Sequence, residues 1–291
     1  DDTDGDSEEH SDEAARPTPA LTASDASATA TPRIGVCYFP EHWPRERWET
    51  DVEQMAEAGI EVVRMAEFSW GRLEPERGAF DFEWLDTAVS LLGDAGIDVV
   101  LCTPTATPPK WLIDEYPEIL QEEPDGTTRE FGSRRHYCFN SPVYREESKR
   151  VARRMAEHYA DVDAVVGWQT DNEYGCHHTV RCYCDDCAAA FREWCRDRYE
   201  SVDDLNETWG TTFWSQQYGS FAALQPPRHT AAEHHPSRLL DYARFANASV
   251  VDYNEMQADV LREANDEWFV THHSMGHFDT LDAFSVSESL D

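Results

Sequence analysis

The stretch Ala164–Val–Val–Gly–Trp–Gln–Thr–Asp–Asn–Glu173 decides the fold. Its first half is β-branched and apolar on both faces, a pattern a strand carries when helices or sheets cover it on each side. Its second half turns abruptly polar, as a strand does where it leaves a sheet. The same unit recurs along the chain. Ile34 to Phe39, Ile60 to Met65, Ile97 to Cys102 and Trp268 to His272 are apolar runs of strand length. Between them lie segments of helical period. Trp48, Val52, Met55 and Ala56 share one helical face. Leu85, Ala88, Leu92 and Ala95 share another, capped at Asp81 and stopped near Gly96. A helix with Val151, Met155 and Tyr159 inward follows Pro142, and a long one spans about Ser237 to Ala264.

Strands alternating with helices predict an α/β fold, a parallel sheet covered by helices. Polar residues gather just past the strand ends, at Glu41, Glu67, Asp171 to Glu173 and His272 to Ser274. Active sites of (β/α)8 barrels are built at that carboxyl face. An open doubly wound sheet would show a glycine-rich turn after its first strand, and Tyr38–Phe–Pro–Glu41 is nothing like one. The expected architecture is a (β/α)8 TIM barrel over residues 34–291, truncated after about five strand–helix units. Residues 1–33 are different: nine acids, two arginines and no aromatic residue read as a disordered acidic tail.

Charge narrows the function classes. The 291 residues hold 58 Asp+Glu against 24 Lys+Arg, a net charge of −34, and only Lys110 and Lys149 are lysines. The tail accounts for 2 − 9 = −7, leaving −27 on the remainder. Such a field repels phosphate backbones and anionic lipid, which argues against nucleic-acid and membrane-surface partners. Carboxylates hold water and hydrated cations where lysine stems would expose apolar surface, so the composition reads as salt adaptation. Ten tryptophans and 40% hydrophobic residues supply a core that a disordered acidic chain lacks. No apolar run approaches the roughly 18 residues of a membrane span.

Three cysteines crowd into Cys182–Tyr–Cys184–Asp–Asp–Cys187. Thiolates this close can converge on one soft cation, whereas bridges between such near neighbours are strained. A structural zinc on the loop after the fourth strand is expected, and spacing leaves its fourth ligand open among Cys138, Cys176 and Cys195. Cys37 and Cys102, inside apolar strands, read as core thiols. Thiolate zinc and the absence of a signal-peptide pattern together suggest a reducing, cytoplasmic setting.

The strand-end pair Asn172–Glu173 suits sugar chemistry. A glutamic acid can protonate a glycosidic oxygen, and an asparagine can bind a ring hydroxyl whose contacts strengthen in the transition state. A helix cap or a structural ion pair is the plain alternative. Arg134 and Arg135 can bind hydroxyls or orient a carboxylate, or form ordinary surface pairs. Tryptophans 43, 70, 111, 168, 209 and 214 are candidates for stacking on sugar faces, though a tryptophan taken singly is more often a core residue.

From about Ile34 onward the chain resembles the β-galactosidases of glycoside hydrolase family 42. The resemblance is carried by Gly35–Val–Cys–Tyr–Phe–Pro–Glu–His–Trp43, Ala66–Glu–Phe–Ser–Trp70, Thr103–Pro–Thr–Ala–Thr–Pro–Pro–Lys–Trp111, Arg134–Arg–His–Tyr–Cys–Phe139 and Thr170–Asp–Asn–Glu–Tyr–Gly–Cys176. It implies a retaining hydrolase of terminal β-D-galactosides such as lactose, working through a covalent glycosyl-enzyme and assembled as a homotrimer when full length. By position it implies Glu173 as the general acid/base, Arg134 and Asn172 as substrate-binding residues, and Cys138, Cys182, Cys184 and Cys187 as the zinc ligands. Retention needs a second carboxylate about 5 Å from the first. The family places it beyond this stretch, so neither Glu67 nor Glu288 is assigned as nucleophile and the fragment alone is expected to be inactive. A non-catalytic carbohydrate-binding barrel is the alternative.

Overall fold

The structure is a computed structural model and describes residues 32–291. The expected tail, apart from its last two residues, lies outside them. Of those two, Arg33 donates to Asp98 at 2.7 Å and to the carbonyl of Glu61 at 2.9 Å.

Five strands form one sheet: β1 (Gly35–Cys37), β2 (Val62–Met65), β3 (Asp98–Cys102), β4 (Val165–Gln169) and β5 (Phe269–Thr271). They pair in chain order and every pair is parallel. The order is decisive. A doubly wound sheet reverses its strand order part-way, whereas consecutive parallel strands joined by right-handed crossovers put every helix on one face. That is the wall of a barrel.

The covering helices are α1 (Trp48–Glu57), α3 (Glu83–Asp94), α5 (Pro142–Tyr159) and α8 (Pro236–Ala264). Short helices α2 (Trp70–Leu73) and α4 (Lys110–Glu115) lie in the loops after β2 and β3. Local chemistry sets the ends. Asp81 accepts from the Glu83 amide at 3.1 Å ahead of α3, and Gly96 beyond it takes φ +73. Ser141 caps α5 through the Tyr144 amide, with Pro142 in its first turn.

Alternation along the strands sorts the two faces. Val63, Met65, Val99, Leu101, Trp168 and Val270 point at the helices and are fully buried. Arg64, Val100, Cys102, Gly167 and Gln169 have the opposite phase and face the barrel interior. The register between β3 and β4 slips at Val99/Val100, so Val166 is an extra residue. This bulge lets both Val165 and Trp168 join the helix-side core.

Two expectations need correction. Among the described residues β1 pairs only with β2 and Cys37 is exposed where a core thiol was expected; Cys102 is buried as expected. The region after the fourth strand is also more than a cysteine-bearing loop. It contains α6 (Asp185–Arg198) and α7 (Val202–Trp209). With α8 they enclose a second core of Phe191, Tyr199, Leu205, Trp209, Leu224, Tyr242 and Phe245. Asp241 serves this core as a buried acceptor for Trp209 Nε1 at 2.9 Å and for the Tyr199 hydroxyl. Helix α9 (Ala283–Ser287) closes the described chain. No described helix is long and apolar enough to cross a membrane.

Candidate active site at the carboxyl face

The turn after β4 is folded against its own preferences. Asp171 takes φ +46 and Glu173 φ +50, both left-handed, and Gly175 follows at φ +79. Left-handed backbone costs a non-glycine residue about 1–2 kcal/mol. Something must hold the turn, and its backbone donors show what does. The Asp171 amide gives to Thr103 Oγ1 at 2.7 Å, the Asn172 amide to Asp171 Oδ1 at 2.6 Å and the Glu173 amide to the His273 carbonyl at 2.9 Å. The Tyr174 amide gives to His272 Nε2 at 3.3 Å. Strands β3 and β5 therefore clamp the turn from both sides.

The Asp171 carboxylate is the centre of this arrangement. Besides the Asn172 amide it accepts from Arg135 at 2.6 Å, from the Tyr137 hydroxyl at 2.7 Å and from the Thr105 hydroxyl at 2.7 Å. Hydrogen bonds to a charged group contribute about 1.5–3 kcal/mol each, so these four outweigh the strain of two left-handed residues. Arg135 is fully enclosed. Burial works against its charge, but Asp171 more than restores it, and the guanidinium pKa is raised.

The neighbouring pair is open to solvent. Arg134 Nη1 stands 3.1 Å from Glu173 Oε2, each side chain about a quarter exposed. Arg134 also lies over the Phe68 ring at 5.5 Å. Asn172 is buried, and its Oδ1 accepts from Gln169 Nε2 at 3.3 Å, which leaves its amide nitrogen free of that bond. The structure thus brings Arg134 and Glu173 into contact at the end of β4, with Asn172 next to Glu173 along the same turn.

Glu67 is a different kind of carboxylate. It is completely buried and paired with Arg64 at 2.9 Å. Burial raises its pKa, against the opposing pull of Arg64. Arg64 in turn reaches Gln169 Oε1 at 2.9 Å and His273 Nδ1 at 2.7 Å across the barrel interior. The tryptophans divide: Trp70, Trp168 and Trp209 are fully buried and Trp111 partly so, while Trp43 and Trp214 are exposed.

Cys138 on one loop meets Cys182 and Cys184 on another and Cys187 in the first turn of α6. Their Sγ atoms all lie within 4.8 Å of one another and all four residues are buried. Cys138 Sγ is 3.4 Å from Cys187 Sγ and 3.6 Å from Cys184 Sγ. A tetrahedral ion with metal–sulfur bonds of about 2.3 Å needs sulfurs about 3.8 Å apart, so the donor set fits. Hydrogen bonds from Cys138, then Cys182 and Cys187, drive the Cys184 thiol down. Hydrogen bonding to Cys182, Cys184 and Cys187, together with burial, holds Cys138 far up. N–H groups already point at the sulfurs, from Glu122 to Cys182 at 3.4 Å, Asn140 to Cys138 at 3.4 Å and Asn140 Nδ2 to Cys187 at 3.3 Å. This buried group could hold a metal ion. Cys195 belongs to the second core, and Cys176 is buried away from the four.

Sequence reasoning gave no role to Asp171, His272 or Thr105. The signal available was their position, each at or just past a strand end in a polar run.

Comparison with known proteins gives the family. The family profile described as β-galactosidase, of glycoside hydrolase family 42, matches residues 37–291. A β-galactosidase of Halorubrum lacusprofundi is 69% identical over 259 residues, covering 89% of this chain and 37% of the relative. One of Haloferax lucentense is 64% identical, covering 89% and 39%. The solved structure of a polyextremophilic β-galactosidase from the Antarctic haloarchaeon Halorubrum lacusprofundi superposes with a TM-score of 0.88 at 69% identity, covering 89% of this chain and 39% of that one. The chain spans about two-fifths of the length of the relatives it matches.

Proposed function

The chain belongs to the β-galactosidases of glycoside hydrolase family 42, and from that premise we propose that it is the acid/base half of a retaining β-galactosidase site. The supporting observation is the Arg134–Glu173 contact of 3.1 Å beside Asn172. In this reading a terminal β-D-galactoside such as lactose takes hydrogen bonds from Arg134 and from the Asn172 amide. Glu173 gives its proton to the departing glycosidic oxygen and later takes one from the incoming water. The nucleophilic carboxylate comes from a part of the polypeptide beyond Asp291, and the full-length protein works as a homotrimer. Glu67 is left out, because it is buried and spoken for by Arg64.

Cys138, Cys182, Cys184 and Cys187 would hold a zinc ion. Its place is structural: four sulfurs fill a tetrahedral ion and leave no position for substrate. Cys138 sits four residues after Arg134 and Cys182 nine after Glu173, so the metal would tie together the two loops that carry the site.

Substitution of Glu173 by Ala in the full-length polypeptide tests the assignment. Turnover of lactose should vanish, since its alkoxide leaving group needs a proton. Cleavage of an activated aryl galactoside should survive better, since general acid catalysis contributes about 10²–10⁴-fold only where the leaving group needs it. Parent-level lactose hydrolysis by the variant would overturn the role.

A further inference from the structure

We propose that Asp171 is the positioning residue for the acid/base Glu173, acting together with buried Arg135. The inference rests on the role given to Glu173 above. Two successive arginines face two nearly successive acids. Arg135 meets Asp171 at 2.6 Å in full burial, and Arg134 meets Glu173 at 3.1 Å in partial exposure. The pairs share one backbone on each side, so seating the buried pair sets where the open pair meets. Arg135 takes φ +68, which turns its side chain away from that of Arg134.

The Glu173 side chain has little else to fix it. Among the described residues it contacts Arg134 alone of the charged groups, while its left-handed main chain is tied through the amide to the His273 carbonyl at 2.9 Å and through the carbonyl to the Cys176 amide at 3.1 Å. Asp171 lies two residues before it, takes four hydrogen bonds and donates its own amide to Thr103. Asp171 touches no reacting atom. It holds the turn in the conformation from which Glu173 can reach a glycosidic oxygen.

The test is leaving-group dependence, a property that mere loss of folded protein does not alter. In the full-length polypeptide, Asp171→Asn and the milder Tyr137→Phe and Thr105→Val are compared with the parent on aryl galactosides of graded acidity and on lactose. Expected for Asp171→Asn is a loss of about 10²-fold or more in kcat/KM on lactose, with activated aryl substrates within a few-fold of the parent. The Tyr137 and Thr105 variants should show the same slope change in smaller degree. A uniform loss across all leaving groups, or no loss, in whichever of these variants fold would overturn the proposal. If Asp171→Asn does not fold, the two milder variants decide it. Glu173→Ala in parallel separates the two readings. A steep slope there with a flat one in the Asp171-network variants defeats positioning alone, and a flat slope in Glu173→Ala defeats the acid/base role on which positioning depends.

Discussion

His272 offers a direct measure of how firmly the turn after β4 is held. Its ring stacks on Tyr174 with centroids 4.2 Å apart, and Nδ1 lies 2.8 Å from the Thr170 carbonyl while Nε2 faces the Tyr174 amide. The carbonyl requires a proton on Nδ1 and the amide requires a lone pair on Nε2, so the neutral Nδ1–H tautomer is the one that fits. Burial in this position pushes the pKa from 6.5 down to about 4. The sign follows from linkage. As pH falls through 6.5 the unfolded chain takes up a proton that the folded protein refuses, so stability is lost from there down to about 4 and the loss then stops growing. At about 1.4 kcal/mol per pKa unit, the penalty is about 1.4 kcal/mol at pH 5.5 and about 3 kcal/mol near pH 4. The higher figure is a ceiling, because the ring is partly exposed and water can share in stabilising its charge. Replacement by Asn keeps a donor for Thr170 and removes the titration. Urea unfolding of parent and His272→Asn at fixed molar KCl, between neutral and mildly acidic pH, is the assay. Subtracting the two curves cancels the other titrating groups, Glu67 and His136 among them. The parent should lose stability faster on acidification by about the stated amount. Parallel curves, or a parent that gains stability, would refute the reasoning.

Further outcomes follow from other parts of the molecule. Freshly purified protein should carry zinc by elemental analysis; Cys184→Ser should lose it and become susceptible to protease within α6 and α7, while a parent without zinc would reject the site. Because −27 of the net charge lies on residues 34–291, the urea midpoint should rise as KCl is raised, through screening of like charges; equal stability in dilute buffer and molar salt would contradict this. Gly175→Ala should lower stability by about 1–3 kcal/mol in a thermal melt, since the residue sits at φ +79 and a Cβ there would lie 2.2 Å from Val180 Cγ2. A neutral effect would mean that this turn yields easily.

The five strands were legible because each is a short run dominated by β-branched and other apolar residues, with few polar interruptions such as Arg64 and Gln169, and the covering helices because their apolar residues repeat at helical spacing. Helices α6 and α7 were not. Asp185, Asp186, Asp203 and Asp204 crowd their first turns, and the apolar stripe of Phe191, Leu205 and Trp209 gains meaning only against Tyr242 and Phe245, brought from α8 by the fold.

For the site, residue chemistry alone singled out Asn172–Glu173, the arginine pair and the cysteine run. Carboxyl, guanidinium and thiol groups announce their reactivity without a structure, and the strand pattern places them at the barrel's carboxyl face. What the amino-acid order cannot express is which of two adjacent arginines is buried. That depends on a left-handed residue at 135 and on Asp171 reaching back from another strand. Spacing likewise left the fourth sulfur open, because Cys138 is 44 residues from Cys182 along the chain and only the packing of two loops carries their Sγ atoms to within 4.8 Å. Local chemistry was decided by the residues; proximity, burial and the division of labour between Arg134 and Arg135 were decided by the tertiary structure, since each requires groups from distant strands to meet in one excluded volume.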